Sequence, residues 1–97
     1  MSARPADKLA IAVAQLNSTL GDIAGNATKV REARATAAAQ GADIVVFPEL
    51  FISGYPPEDL VLKPAFQAAC RSAIEGLARE TKDGGPALLV GTPWLDG

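Results

Sequence analysis

Three short apolar runs, separated by two segments with a helical pattern, limit the folds open to this 97-residue chain. The runs cover residues 9–15, 44–47 and 87–91. Because they are short and nearly continuous, they are typical of strands buried on both faces of a parallel sheet. The sequence therefore predicts a β-α-β-α-β order in an open α/β fold.

The two intervening segments carry apolar residues at spacings of three and four, as amphipathic helices do. The first helix is predicted over residues 27–40, with Asn26 as its N-cap and Gly41 as its left-handed stop. The second is predicted over residues 64–82, because Pro64 suits a first helical turn. The expected inward faces are Val30, Ala33 and Ala37 on the first helix and Phe66, Cys70, Ala73 and Leu77 on the second.

Composition excludes several classes of function. Lys and Arg total 9 against 11 Asp and Glu, so the chain lacks the basic footprint of a nucleic-acid-binding protein. A membrane helix needs about 18 consecutive apolar residues, and no run in this sequence approaches that length. The first residues are polar and do not form a secretory signal. With one cysteine and no histidine, an intramolecular disulfide is impossible and the usual zinc clusters are excluded. We therefore expect a cytoplasmic protein with no nucleic-acid or membrane partner and no metal in this segment.

Glu49 follows the second apolar run directly after Pro48, which cannot donate a hydrogen bond to a sheet ladder. The strand should therefore end at Pro48 and leave Glu49 in a loop at its carboxyl end, where open parallel sheets bind ligands. Between Phe47 and Leu50 the carboxylate should be partly desolvated, which would raise its proton affinity and suit it to general base chemistry. By position alone, however, a loop cap or a surface ion pair explains Glu49 more readily.

Residues 46–60 read Val-Phe-Pro-Glu-Leu-Phe-Ile-Ser-Gly-Tyr-Pro-Pro-Glu-Asp-Leu, and Leu-Lys-Pro-Ala-Phe follows at 62–66. An apolar strand that leads into Pro-Glu and then Gly-Tyr resembles the first catalytic motif of the nitrilase, or carbon-nitrogen hydrolase, superfamily. The Pro-Pro-Glu-Asp-Leu stretch resembles the glutaminase domain of NAD synthetases in particular. The resemblance extends over most of residues 9–94 and includes the opening strand, which ends in Gln-Leu-Asn.

This resemblance implies the N-terminal part of an α-β-β-α sandwich and a Glu-Lys-Cys triad, of which only Glu49 matches a position in this chain. In the family the glutamate takes the thiol proton, the cysteine attacks the amide carbon, and the lysine stabilises the developing oxyanion. The resemblance also implies glutamine as substrate, with deamido-NAD, ATP and magnesium used at a separate synthetase domain of a homo-oligomeric protein. No cofactor is implied for this segment. Tyr55 is a candidate for lining the substrate pocket, although packing explains it about as well.

Other reactive side chains are better explained by structure. Cys70 lies on the apolar stripe of the second helix, where a free cysteine is usually a small buried hydrophobe. Lys63 stands just before that helix, is expected to be solvated, and lies outside the lysine motif of the family. Glu58 and Asp59 lack a third ligand, so charging the start of a helical turn suits them better than binding a metal.

Three interpretations of function remain open. The first is a glutaminase segment of an NAD synthetase, and the second is a stand-alone amidase of the same superfamily. The Pro-Pro-Glu-Asp-Leu stretch favours the first over the second. The third is a non-catalytic α/β binding domain in which Glu49 is only a loop acid. Because two helices are too few to cover both faces of the sheet, we expect residues 1–97 to be the N-terminal part of a larger domain, inactive alone.

Overall fold

Strands and helices alternate along the chain. The computed structural model describes residues 8–54 and 63–93. The elements are β1 (Ile11–Val13), α1 (Ile23–Ala39), β2 (Ile44–Val46), α2 (Pro64–Glu80) with a 3-10 turn (Thr81–Asp83), and β3 (Ala87–Leu89). The strands pair in parallel, in the order β1-β2-β3, and each α-helix connects two neighbouring strands. The predicted α/β class and β-α-β-α-β order are therefore confirmed.

The regular strands are shorter than the predicted apolar runs, but hydrogen bonds between neighbouring strands continue beyond their ends. Ala14 donates its N–H to the Val46 carbonyl at 2.9 Å, and Phe47 donates to the Leu89 carbonyl at 3.0 Å. Pairing of the central strand therefore continues to the residue before Pro48, whose missing N–H ends it as predicted.

Both helices pack on one face of the sheet, the face that carries Ala12, Val45 and Leu88. Two crossovers of the same hand, running in the same direction along the sheet, place their helices on the same side. On the opposite face Ile11, Val13 and Leu89 are 56%, 65% and 63% exposed. The described residues thus cover one of the two faces that the apolar runs predict to be buried.

The core lies between the helices and the covered sheet face. Val30 and Ala37 of α1 are buried together with Cys70 and Leu77 of α2, as their spacing predicts. The other members of the two predicted stripes pack against this core: Ala33, Phe66 and Ala73. Within the described stretches, no helix combines the length and apolar character needed to cross a membrane.

The first helix begins one turn earlier than predicted. Its N-cap is Asp22, whose Oδ1 accepts a hydrogen bond from the Gly25 N–H at 3.1 Å. Asn26, the predicted cap, lies inside the helix with its side chain fully buried. The prediction was wrong because aspartate and asparagine are about equally good caps, so local sequence does not separate them. The predicted stop is confirmed, since Gly41 has a φ of 80°.

Arg34, which is not among the residues of α1 predicted to face inward, connects α1 to the turn before β3. Its guanidinium donates to both carboxylate oxygens of Asp83, at 2.6 and 3.0 Å, and to the Pro86 carbonyl at 2.8 Å. The hydrogen bond from Arg34, with a smaller contribution from the Gly85 N–H, lowers the pKa of Asp83 to about 2. This contact fixes α1 to the turn before β3, at the amino-terminal end of the sheet.

Candidate active site

The turn after β2 carries Glu49 at the carboxyl end of the central strand, the location that the sequence predicts. Phe47 before it is buried, and Phe51 and Ile52 after it are completely buried. Glu49 itself is exposed. The described residues therefore do not provide the partial desolvation expected between Phe47 and Leu50, because the flanking aromatic rings enter the core rather than pack over the carboxylate.

Leu50 bends the backbone between the exposed glutamate and the buried Phe51. Its φ of 48° lies in the left-handed region, which a non-glycine residue adopts at a cost of about 1–3 kcal/mol and only where its surroundings hold it. One neighbour is Gly91, after β3, where a Cβ would lie 2.8 Å from the Leu50 nitrogen. The absence of a side chain at Gly91 therefore allows the two segments to approach, and the Ile52 N–H donates to the Gly91 carbonyl at 3.5 Å.

The loop after β1 holds the other side of this turn. The Gly21 N–H donates to the Ser53 carbonyl at 2.9 Å. Asn26 reaches both loops, since its side-chain amide bonds to the backbone of Thr19 and to the Ile52 carbonyl. The sequence pattern does not predict this role of Asn26, because its most distant partner lies 26 positions along the chain and periodicity concerns only local neighbours.

Cys70 lies in the core, away from solvent, in the packing position that its stripe predicts. Burial raises the pKa of its thiol, and a hydrogen bond with Thr92 opposes that effect only in part. A raised pKa reduces the thiolate fraction at neutral pH, so this environment is unlike that of a reactive cysteine. Lys63 is exposed at the start of α2, the solvated position predicted for it.

Tyr55, Glu58 and Asp59 lie outside the described residues, so the pocket-lining role of Tyr55 stays a prediction. Across residues 8–54 and 63–93, no group of three or more Cys, Asp or Glu side chains is placed to hold a metal ion. A groove of about 500 Å³ runs between β1 and α1, but Glu49 does not line it. Among the described strands β1 is at the edge of the sheet, and this groove lies beside it.

The known proteins that this chain matches include relatives of two kinds. The glutamine-dependent NAD(+) synthetase of Rhodobacter capsulatus is 47% identical over 90 residues, which are 93% of this chain and 16% of that protein. The solved glutamine-dependent NAD+ synthetase from Acinetobacter baumannii, in complex with ADP, superposes with a TM-score of 0.67 at 38% identity. That match covers 71% of this chain and 13% of the other.

The second kind is an amidase. A double mutant of the amidase from Nesterenkonia sp. AN1, in complex with acrylamide, superposes with a TM-score of 0.76 at 30% identity. This match covers 99% of this chain and 37% of the amidase. The Carbon-nitrogen hydrolase family itself matches residues 10–95, nearly the whole length given. The chain therefore belongs to the carbon-nitrogen hydrolase family.

Proposed function

We propose that this chain is part of the glutamine-hydrolysing domain of a glutamine-dependent NAD synthetase, and that Glu49 is its general base. The observation that carries the proposal is the 47% identity to the Rhodobacter capsulatus enzyme over 93% of the chain. The position of Glu49 beyond the carboxyl end of β2 supports it, because that end of a parallel sheet is where ligands bind. Since the chain spans 16% of that relative, we place the lysine and cysteine of the triad in sequence outside residues 1–97.

In this mechanism the Glu49 carboxylate accepts the thiol proton of the cysteine, and the thiolate attacks the glutamine amide carbon. The protonated Glu49 then gives its proton to the amide nitrogen, the C–N bond breaks, and ammonia leaves behind a thioester. Water, deprotonated by the same carboxylate, hydrolyses the thioester to glutamate and restores the thiol. The lysine ammonium stabilises the oxyanion of each tetrahedral intermediate. The contribution required of this chain is a carboxylate held in a fixed place.

The ammonia is proposed to amidate deamido-NAD in an ATP-dependent step at another domain. The Gly84-Gly85 turn does not suit ATP, because it lacks the lysine and the hydroxyl residue of a phosphate loop. Its Gly85 N–H already donates to Asp83 at 2.8 Å, and that carboxylate would repel a phosphate. We therefore assign ATP and magnesium to a synthetase domain outside this chain.

The test uses the full-length protein with Glu49→Gln, which keeps the size of the side chain and removes the base. Glutamine-dependent NAD synthesis should fall by about 10²–10⁴-fold, the usual effect of losing a general base. Synthesis from added ammonia should be unchanged, because ammonia bypasses amide cleavage. The matched control is Glu32→Gln, an exposed glutamate on α1 away from the turn, which should alter neither activity.

Two other outcomes would contradict the assignment. If Glu49→Gln lowers both activities together, Glu49 maintains the fold or a domain interface. If it lowers neither, Glu49 is a surface acid and the chain is better described as a non-catalytic binding domain.

A stand-alone amidase is the second candidate, favoured by the TM-score of 0.76 with the Nesterenkonia amidase over 99% of this chain. Substrate choice separates the two functions. The full-length protein should form NAD from deamido-NAD, ATP and glutamine. Hydrolysis of acrylamide and other short amides without ATP-dependent NAD formation would favour the amidase.

A further inference from the structure

Asn26 joins two loops at the carboxyl end of the sheet. Its Oδ1 accepts a hydrogen bond from the Thr19 N–H at 2.8 Å, and its Nδ2 donates to the Thr19 carbonyl at 2.8 Å. The same Nδ2 donates to the Ile52 carbonyl at 2.9 Å, a bond fully removed from water. Ile52 follows Glu49 by three residues, so the Asn26 side chain is bonded to the backbone of the turn that carries the Glu49 carboxylate.

Two further contacts make the joined loops tight. The Gly21 N–H donates to the Ser53 carbonyl at 2.9 Å. Gly54 has a φ of +82°, and a Cβ there would lie 2.8 Å from the backbone nitrogen of Leu20. The turn therefore has little room to shift against the loop after β1, and α1 supplies the side chain that connects them.

The chemistry of these contacts requires an amide. One side chain must accept a single N–H and donate two hydrogen bonds at the same time, which a carboxamide does and a carboxylate or an alkyl group of the same shape does not. A buried carbonyl that loses its donor is destabilised, so the Ile52 carbonyl would move to find a new partner. Such a movement would displace the turn on which Glu49 stands.

We propose that Asn26 is a positioning residue that fixes the Glu49 turn for amide hydrolysis. The inference rests on the proposed function, because it requires Glu49 to be the general base. Proton transfer depends on hydrogen-bond distance, and a displacement of about 1 Å can reduce a rate about 10²-fold. Asn26 itself does not need to touch the substrate.

The test compares four variants of the full-length enzyme: Asn26→Asp, Ser53→Ala, Ala37→Gly and Glu49→Gln. Asn26→Asp keeps the shape and the acceptor while removing both donors. Ser53→Ala removes the buried hydroxyl, whose single hydrogen the Leu50 and Gly54 carbonyls share at 3.2 and 3.0 Å, and so loosens the turn without changing Asn26. Ala37→Gly is the control, because it destabilises α1 at the end far from the turn.

We expect Asn26→Asp to lower the glutaminase kcat by about 10-fold to 100-fold, with a smaller change in KM and no change in ammonia-dependent synthesis. Ser53→Ala should lower kcat in the same way but less. Ala37→Gly should retain kcat, even where its melting temperature falls as far as that of Asn26→Asp. A purely structural role for Asn26 would instead make kcat follow the melting temperature in all three.

A kcat for Asn26→Asp within twofold of the Ala37→Gly value would overturn the inference. If Asn26→Asp does not fold, Ser53→Ala tests whether the turn must be held in place for catalysis. A wild-type glutaminase kcat in Ser53→Ala would then overturn the inference, because the turn could be loosened without loss of activity. Glu49→Gln tells the two failures apart. If Glu49→Gln abolishes glutaminase activity while Asn26→Asp retains it, only the positioning role is wrong; if Glu49→Gln is fully active, the proposed function is wrong and the positioning role falls with it.

Discussion

Phe47 and Phe51 contact each other on either side of Glu49, with ring centroids 5.3 Å apart and ring planes inclined by 53°. Both rings are buried, whereas the glutamate between them in sequence is exposed. Tilted aromatic pairs contribute about 0.5–1.5 kcal/mol beyond the burial of their surface. The pair therefore closes the turn at its base and leaves the carboxylate on the outside.

This pair predicts a large effect for Phe51→Ala. Removing a completely buried ring should lower the free energy of unfolding by about 3–5 kcal/mol, measured by denaturant titration of the full-length protein. Phe66→Ala is the matched control, because Phe66 is only partly buried at the edge of the core. If both variants lost the same free energy of unfolding, the complete burial of Phe51 and its contact with Phe47 would add no stability beyond that of a partly buried ring.

Cys70→Ala should leave glutamine turnover unchanged, because burial raises the pKa of this thiol and places it in the core. The lost packing should lower the free energy of unfolding by about 1 kcal/mol. Steady-state kinetics and denaturant titration measure the two effects. Stoichiometric labelling of Cys70 by a glutamine-analogue inactivator, detected by peptide mapping, would show instead that it is the nucleophile.

The Arg34 contact predicts a pH dependence at the opposite end of the sheet. In the folded state the pKa of Asp83 is lowered from 3.8 to about 2, mainly by the hydrogen bond from Arg34. Between these two pH values the Asp83 carboxylate therefore binds more protons in the unfolded chain than in the folded one. The stabilisation is therefore complete above pH 3.8 and is lost as the pH falls towards about 2. Asp83→Asn should be less stable than wild type near neutral pH, and the gap should narrow on acidification. A difference in melting temperature that stays constant from pH 6 to about pH 2.5 would contradict this pair.

Residues 1–97 expressed alone should be inactive on glutamine and should self-associate. The open sheet face exposes Ile11, Val13 and Leu89, and contiguous exposed apolar surface promotes association. Sedimentation velocity and a glutaminase assay measure both properties, and Val13→Lys should reduce the association. A monomer with a sharp cooperative melt, or measurable glutaminase activity, would show that this expectation is wrong.

Local signals in the sequence were sufficient for the order of the elements and for both helix stripes. Val30 and Ala37 follow the helical period, and Pro48 ends its strand because proline has no N–H. These features depend on residues within a few positions of one another. They were therefore accessible before any contact between distant segments was known.

Contacts between distant segments account for what the sequence did not predict. Asn26 looked like a cap because asparagine favours that position, yet its amide bonds to a loop that is near only in the folded chain. Glu49 was correctly expected at the carboxyl end of a strand, but its exposure depends on Phe47 and Phe51 both entering the core. The left-handed backbone of Leu50 likewise has no counterpart in the pattern of residue types.

The parallel order of the strands assigns different tasks to the two ends of the sheet. At the amino end, Asp43 accepts a hydrogen bond from the Ala10 N–H at 2.9 Å, and Arg34 binds Asp83. At the carboxyl end stand Glu49 and the loops that Asn26 connects. In a mutational scan that scores cellular abundance and growth separately, substitutions at the first end should reduce both in proportion. At the second end, a substitution of the exposed Glu49 should impair growth while abundance is retained, whereas the buried residues of the same turn should affect both. Stabilising changes are therefore best introduced at the amino end, away from Glu49.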